Sequence, residues 1–163
     1  MGGRRLVVAA VVAASLVGST GSAGASPAAS VVGSGWVTLP AEYGDFAGDP
    51  VLFQVHADGG RAAPGRFNVV HLDKDGGVYA HAVGDVTCVS VSDGVAVTTG
   101  IIRHGWIRDE PADLVGMAAA ITVQDAGGAD SIGFDFEFFG STIAPCGEVT
   151  PWSPVDRGNY VVR

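Results

Sequence analysis

Lysine is nearly absent from this chain. Lys74 is the only one, and lysine and arginine together number 9 against 17 aspartates and glutamates, a formal net charge of −8. No basic patch can form to neutralise phosphates, which excludes nucleic acid as a partner, and the same charge disfavours an anionic membrane surface. Charged residues make up only 16% of a chain that is 47% hydrophobic, so neither a disordered acidic tail nor a charge-rich helical bundle fits. There is no Gly-x-Ser-x-Gly, no Cys-x-x-Cys and no glycine-rich phosphate loop opening a helix. These gaps remove the usual signatures of a serine hydrolase, a thiol redox centre and a nucleotide site. The apolar run from Leu6 to Val17, 12 residues, is well short of the roughly 20 needed to span a bilayer.

That run belongs to a leader. Arg4 and Arg5 precede it, and Ala23-Gly24-Ala25 is a small-x-small cleavage site before Ser26, so residues 1–25 read as a secretory signal peptide cut between Ala25 and Ser26. Removing it takes away two arginines and no acids, and the charge moves to −10 (7 − 17). The mature protein is expected to be secreted and extracellular, with no membrane attachment after cleavage. In an oxidising compartment Cys88 and Cys146, the only two cysteines, read as one structural disulfide.

Residues 26–35 are small and read as a flexible lead-in, and 36–163 as a single domain. Its plainest stretch is 84–100: two runs of Val, Thr and Cys joined by Ser92-Asp93-Gly94, a hairpin whose Asp-Gly pair can turn at positive φ. Around it, Val51 to Ala57, Arg66 to Leu72 and Val78 to Val83 alternate apolar and polar residues as half-buried strands do. Leu114 to Gln124 fits a strand or a helical stripe; strands and turns on either side favour the strand. Phe134, Phe136 and Phe138 alternate with Asp135 and Glu137, and Gly158 to Val162 closes the chain as a short strand. The expected fold is all-β, an antiparallel meander of eight or nine strands closed as a small barrel or two-sheet sandwich, with one disulfide.

The central hairpin carries a resemblance. Gly84, Val86, Cys88, Val91, Gly94, Ala96 and Val97 lead to Gly100, with Val123-x-Asp125 and a glycine-rich turn downstream. In these positions, from about Gly65 to Phe138, the chain resembles the small secreted all-β actinobacterial proteins labelled repetin-like. The resemblance implies strands and turns; that family has no established activity to carry over.

Candidate chemistry is sparse. Asp135 and Glu137 place two carboxylates about 7 Å apart on one strand face, the order of spacing that glycoside hydrolysis uses, although a solvated strand face carries alternating acids too. Asp73-x-Asp75-Gly76 begins like a calcium loop but lacks the distal glutamate, and a plain turn accounts for it. His71 and His81 would share a face if the loop between them has five residues, a start for a metal site, which needs three or four converging ligands. Trp36, Trp106, Trp152, Tyr43 and Tyr79 could grip a sugar or an apolar ligand, or pack as a rim. The expectation is a monomeric extracellular binding or structural module without cofactor, acting on an unknown ligand or protein. The alternatives are a secreted glycan hydrolase using Asp135 and Glu137, and an inhibitor that docks through the Trp106 to Asp113 loop.

Overall fold

The computed structural model describes residues 28–59 and 65–163. Residues 1–25, read from sequence as a leader, and the expected Ala25–Ser26 cleavage site lie outside the described residues. Asp93 and Gly94 both take positive φ, 51° and 77°, the primed turn that matches strand twist. They join β4 (Val78–Ser92) to β5 (Val95–Ile107), with Ser92 opposite Val95. This long hairpin lies near the centre of a nine-stranded antiparallel sheet. β1 (Ser30–Thr38), β2 (Pro50–Asp58) and β3 (Gly65–Leu72) lead up to it, and β6 (Ala118–Gln124), β7 (Ser131–Phe136) and the two-residue β8 (Ser153–Pro154) follow. All eight pair in sequence order, and β9 (Arg157–Val162) returns to pair with β1, giving the order β8-β7-β6-β5-β4-β3-β2-β1-β9. The expected meander is therefore present, as one curled half-barrel sheet and not as two stacked sheets.

β1 begins at Ser30, so residues 30–35, read from sequence as part of a flexible lead-in, are strand. Val31 faces the core at 0% exposure, while small residues around it carry little hydrophobic signal. β6 starts only at Ala118, after a turn in which Met117 N–H donates to the Leu114 carbonyl, so the ambiguous segment is a turn followed by a strand. β7 ends at Phe136, and Glu137–Phe139 forms a single 3₁₀ turn.

The curl brings the outer strands together, and carboxylates tie them. Asp130 Oδ2 accepts from Tyr160 N–H at 2.8 Å and Asp125 Oδ2 from Val162 N–H at 3.2 Å, while Val155 N–H donates to the Asp130 carbonyl at 2.9 Å. Asp130 is 6% exposed, so Asp130→Ala leaves a buried N–H without its acceptor. The expected loss is about 1–3 kcal/mol, measured by chemical denaturation. An unchanged midpoint would show that the tie contributes nothing.

The apolar core fills the concave side, with Val31, Phe53, Ile102, Val123 and Ile132 at 0% exposure. The convex side of β5–β7 is covered as well, by the proline-bearing segment 140–152. The Cys88–Cys146 disulfide, Cα–Cα 5.4 Å, fastens this strap to β4. Cys146 N–H donates to Thr99 Oγ1 at 3.0 Å and Val149 N–H to Thr122 Oγ1 at 3.2 Å. Covered in this way, Thr99 and Thr122 are 4% and 0% exposed, which explains why β5 and β6 read as nearly continuous apolar runs.

Candidate functional site

One end of the half-barrel is left unfilled. β1, β3, β5 and β7 end here, β2 and β4 begin here, and two irregular segments close over the opening: a 3₁₀ turn at Ala41–Phe46 and the Glu137–Phe139 turn. The small inward residues Ala80 and Ala82 on β4 leave room opposite Val69 and His71 on β3. The result is a cavity of about 250 Å³. Its walls are aromatic. Phe53 on β2 packs on Phe134 at 4.7 Å between ring centroids, Phe134 on Trp152 at 5.1 Å, and Tyr43 stacks on Trp152 at 5.6 Å. Phe138 and Phe139 meet at 4.5 Å, and with Phe46 they form the mouth. Phe139 is 57% exposed and Phe46 36%, an apolar rim facing solvent.

Besides Tyr43, Tyr79 and Glu110, a polar pair reaches this largely apolar space. His71 Nε2–H donates to Asp49 Oδ2 at 2.9 Å, and the imidazole is held edge-on between Phe46, centroid distance 5.4 Å, and Tyr79, 5.0 Å. Asp49 follows the first 3₁₀ turn and is fixed by its own backbone: its N–H donates to the Phe46 carbonyl, and its carbonyl accepts from Leu39 N–H. The residue is 3% exposed, and its Oδ1 is buried without a hydrogen-bond partner. Tyr79 and Glu110 both line the cavity; burial first, then the Glu110 and Asp109 charges, raise the Tyr79 pKa. Burial likewise raises Tyr43, with Glu42 and Asp135 adding to it. Both phenols therefore stay protonated at neutral pH.

Of the residues singled out in the sequence, His71, Tyr43 and Tyr79 line this cavity and His81 borders it, but the expected metal and carboxylate sites do not form. His71 and His81 lie on opposite faces of the sheet, because the register shifts between His71 and Leu72. Leu72 pairs with Val78, but His71 pairs with Ala80 and His81 with Val70, a bulge that undoes the shared face the five-residue loop would give. His81 Nε2 instead hydrogen-bonds Asn68 Oδ1 at 2.8 Å on the convex side, with His104 6.2 Å away ring to ring. Among the described residues no group of three or more His, Cys, Asp or Glu could hold a metal ion. Glu137 is exposed on the 3₁₀ turn, where its Oε2 accepts from Ala118 N–H at 2.8 Å. Asp135 Oδ1 accepts from Phe136 N–H, and neither carboxylate lines the cavity. Asp73 Oδ1 accepts from the N–H groups of Asp75 and Gly77, while its Oδ2 takes Arg108, so the calcium-like stretch is a self-bonded turn. Of the five large aromatics, Tyr43 and Tyr79 line the cavity and Trp152 packs behind Tyr43; Trp36 carries Arg157 over its ring at 5.4 Å, and Trp106 is exposed beside the convex histidines. Asp49 was not visible as a site residue, because an aspartate before Pro50 is what a loop carries anyway.

The convex pair has a pH signature. Burial first, then His104, lower the His81 pKa below its ordinary 6.5. The unfolded chain thus binds this proton more tightly than the folded one, so His81 leaves stability intact above about pH 6.5 and costs stability as pH falls below it. His81→Gln is expected to flatten that part of a melting-temperature profile between about pH 7 and 5; a profile parallel to the parent would refute the coupling.

No family model matches this chain, and neither curated proteins nor solved structures give a match.

Proposed function

We propose that this protein is a binding module whose end cavity takes a small, mainly apolar molecule. The observation that supports it is the cavity itself: an aromatic-walled space with an exposed apolar rim and one oriented polar pair, the usual composition of a small-molecule site. At about 250 Å³ it falls just under the roughly 300–1,000 Å³ of most ligand pockets, so the ligand is small. The Cys88–Cys146 bridge suits an oxidising compartment, and with the leader-like residues 1–25 it supports a secreted protein working outside the cell. Among the described residues no helix is long and apolar enough to cross a membrane. Glycan hydrolysis by Asp135 and Glu137 has no such support, since both carboxylates lie away from the cavity and bond to backbone N–H groups.

The neutral dye N-phenyl-1-naphthylamine tests this reading. It is expected to bind saturably at one site with enhanced, blue-shifted fluorescence. Ala80→Phe, which fills the space facing His71, should abolish the signal without lowering the melting temperature by more than a few degrees. Absence of a saturable signal, or its survival in Ala80→Phe, would refute the assignment.

A further inference from the structure

We infer that the ligand carries a hydroxyl group, an aromatic or aliphatic alcohol, and that His71 Nδ1 is the acceptor that reads it. This rests on the binding reading above and narrows it to a chemical class. The starting point is the Asp49–His71 pair. A carboxylate only accepts, so the 2.9 Å bond to Asp49 Oδ2 places a proton on His71 Nε2 and fixes the ring orientation. In the neutral ring Nδ1 is then a lone-pair acceptor, and among the described residues nothing hydrogen-bonds to it. His71 lines the cavity, whose wall is largely apolar apart from Tyr43, Tyr79, His81 and Glu110. An acceptor that an apolar ligand covers is left unsatisfied, whereas one meeting an O–H is paired, and sites of this kind discriminate strongly against analogues that lack the hydroxyl.

The charges around the cavity exclude the other simple classes. No lysine or arginine lines it, and Glu110 stands at its edge, so a carboxylate ligand would enter a space with no cation to meet it. An ammonium would need an accessible anion. The nearest buried one, Asp49, is 3% exposed and already holds His71 on Oδ2, and Glu110 is exposed, so an ammonium paired with it stays at the solvent edge. A neutral donor is the group that this arrangement satisfies without burying a charge.

A series of naphthalenes of one shape separates these cases by displacement of the dye and by calorimetry. 2-Naphthol is expected to bind at least tenfold tighter than 2-methoxynaphthalene, which keeps the oxygen but lacks the donor, and tighter than 2-naphthoate or 2-naphthylmethylammonium. In His71→Phe the preference for 2-naphthol over 2-methoxynaphthalene, measured by calorimetry, should collapse to less than twofold. In Asp49→Asn, which frees the other tautomer, the preference should fall as well. The comparison of 2-naphthol with 2-methoxynaphthalene needs only the unmodified protein, so a poorly folding variant does not remove the test. Equal affinities for the two, with the dye bound, would overturn the hydroxyl assignment and leave the binding module standing. Tightest binding of the naphthoate or the ammonium would overturn it in favour of a charged ligand. No binding by the dye or any naphthalene would overturn both readings.

Discussion

Replacing Cys88 and Cys146 together with alanine is expected to lower the unfolding free energy by about 3–4 kcal/mol and the melting temperature by roughly 10–15 °C. The bridge spans 58 positions, and closing a loop of that length restricts the unfolded chain by up to about 4 kcal/mol. In the folded state the bridge also holds the strap, residues 140–152, over the convex face of β5–β7. Its other fastenings are two hydrogen bonds to threonine hydroxyls, worth about 1 kcal/mol each. Without the bridge these must hold the cover over Ala120 and Thr122, now at 1% and 0% exposure. Gly133 provides an independent probe of the same contact. A Cβ there would stand 2.3 Å from the Thr150 carbonyl oxygen, so Gly133→Ala pushes the strap outward and is expected to cost about 1–3 kcal/mol. If the reduced protein melts within two or three degrees of the oxidised one, the strap is held by its packing and the staple is incidental.

The two halves of this architecture differ in how plainly the sequence announces them. The 84–100 hairpin is legible because local chemistry decides it: Asp93-Gly94 can adopt the positive φ values of the turn, and β-branched residues fill the flanks. The disulfide follows from there being only two cysteines, in a chain whose residues 1–25 read as an export leader. What is hidden depends on register and on distant packing. The bulge at His71/Leu72 moves His71 and His81 to opposite faces, a one-residue event that no periodicity reveals in advance. Phe134, Phe136 and Phe138 continue an alternating pattern across the end of β7, so a strand read through Glu137 puts its carboxylate beside Asp135 on one face when it in fact caps a turn at Ala118. The cavity is hidden for a further reason. It exists because Ala80 and Ala82 are small where Phe53, Phe134 and His71 converge, and alanine in a strand reads as nothing in particular. Asp49 acquires its meaning only when the fold brings it to His71, 22 positions away.

Tyr160→Ala is expected to be the most damaging single substitution in the sheet, at about 3–5 kcal/mol. Tyr160 on β9 is 1% exposed and pairs with Gly33 on β1; its ring lies over Gly33 and Gly35, in space that side chains at those two positions would fill. Its hydroxyl crosses to β2 and donates to the Phe53 carbonyl at 2.8 Å. One side chain therefore fastens the returning strand β9 across β1 to β2. Tyr160→Phe keeps the ring and loses that bond, for an expected cost of about 1–2 kcal/mol. The glycines make the argument separable. A Cβ on Gly35 would stand 2.9 Å from the Tyr160 ring and 2.8 Å from Val155, so Gly35→Ala forces the ring to move. Gly35→Ala should then be costly in the parent protein and cheaper in a Tyr160→Ala background, with an interaction energy of about 1 kcal/mol or more in a double-mutant cycle. Strict additivity would mean that the glycines are small for some other reason and that β9 is held chiefly by its backbone ladder and by Asp125 and Asp130.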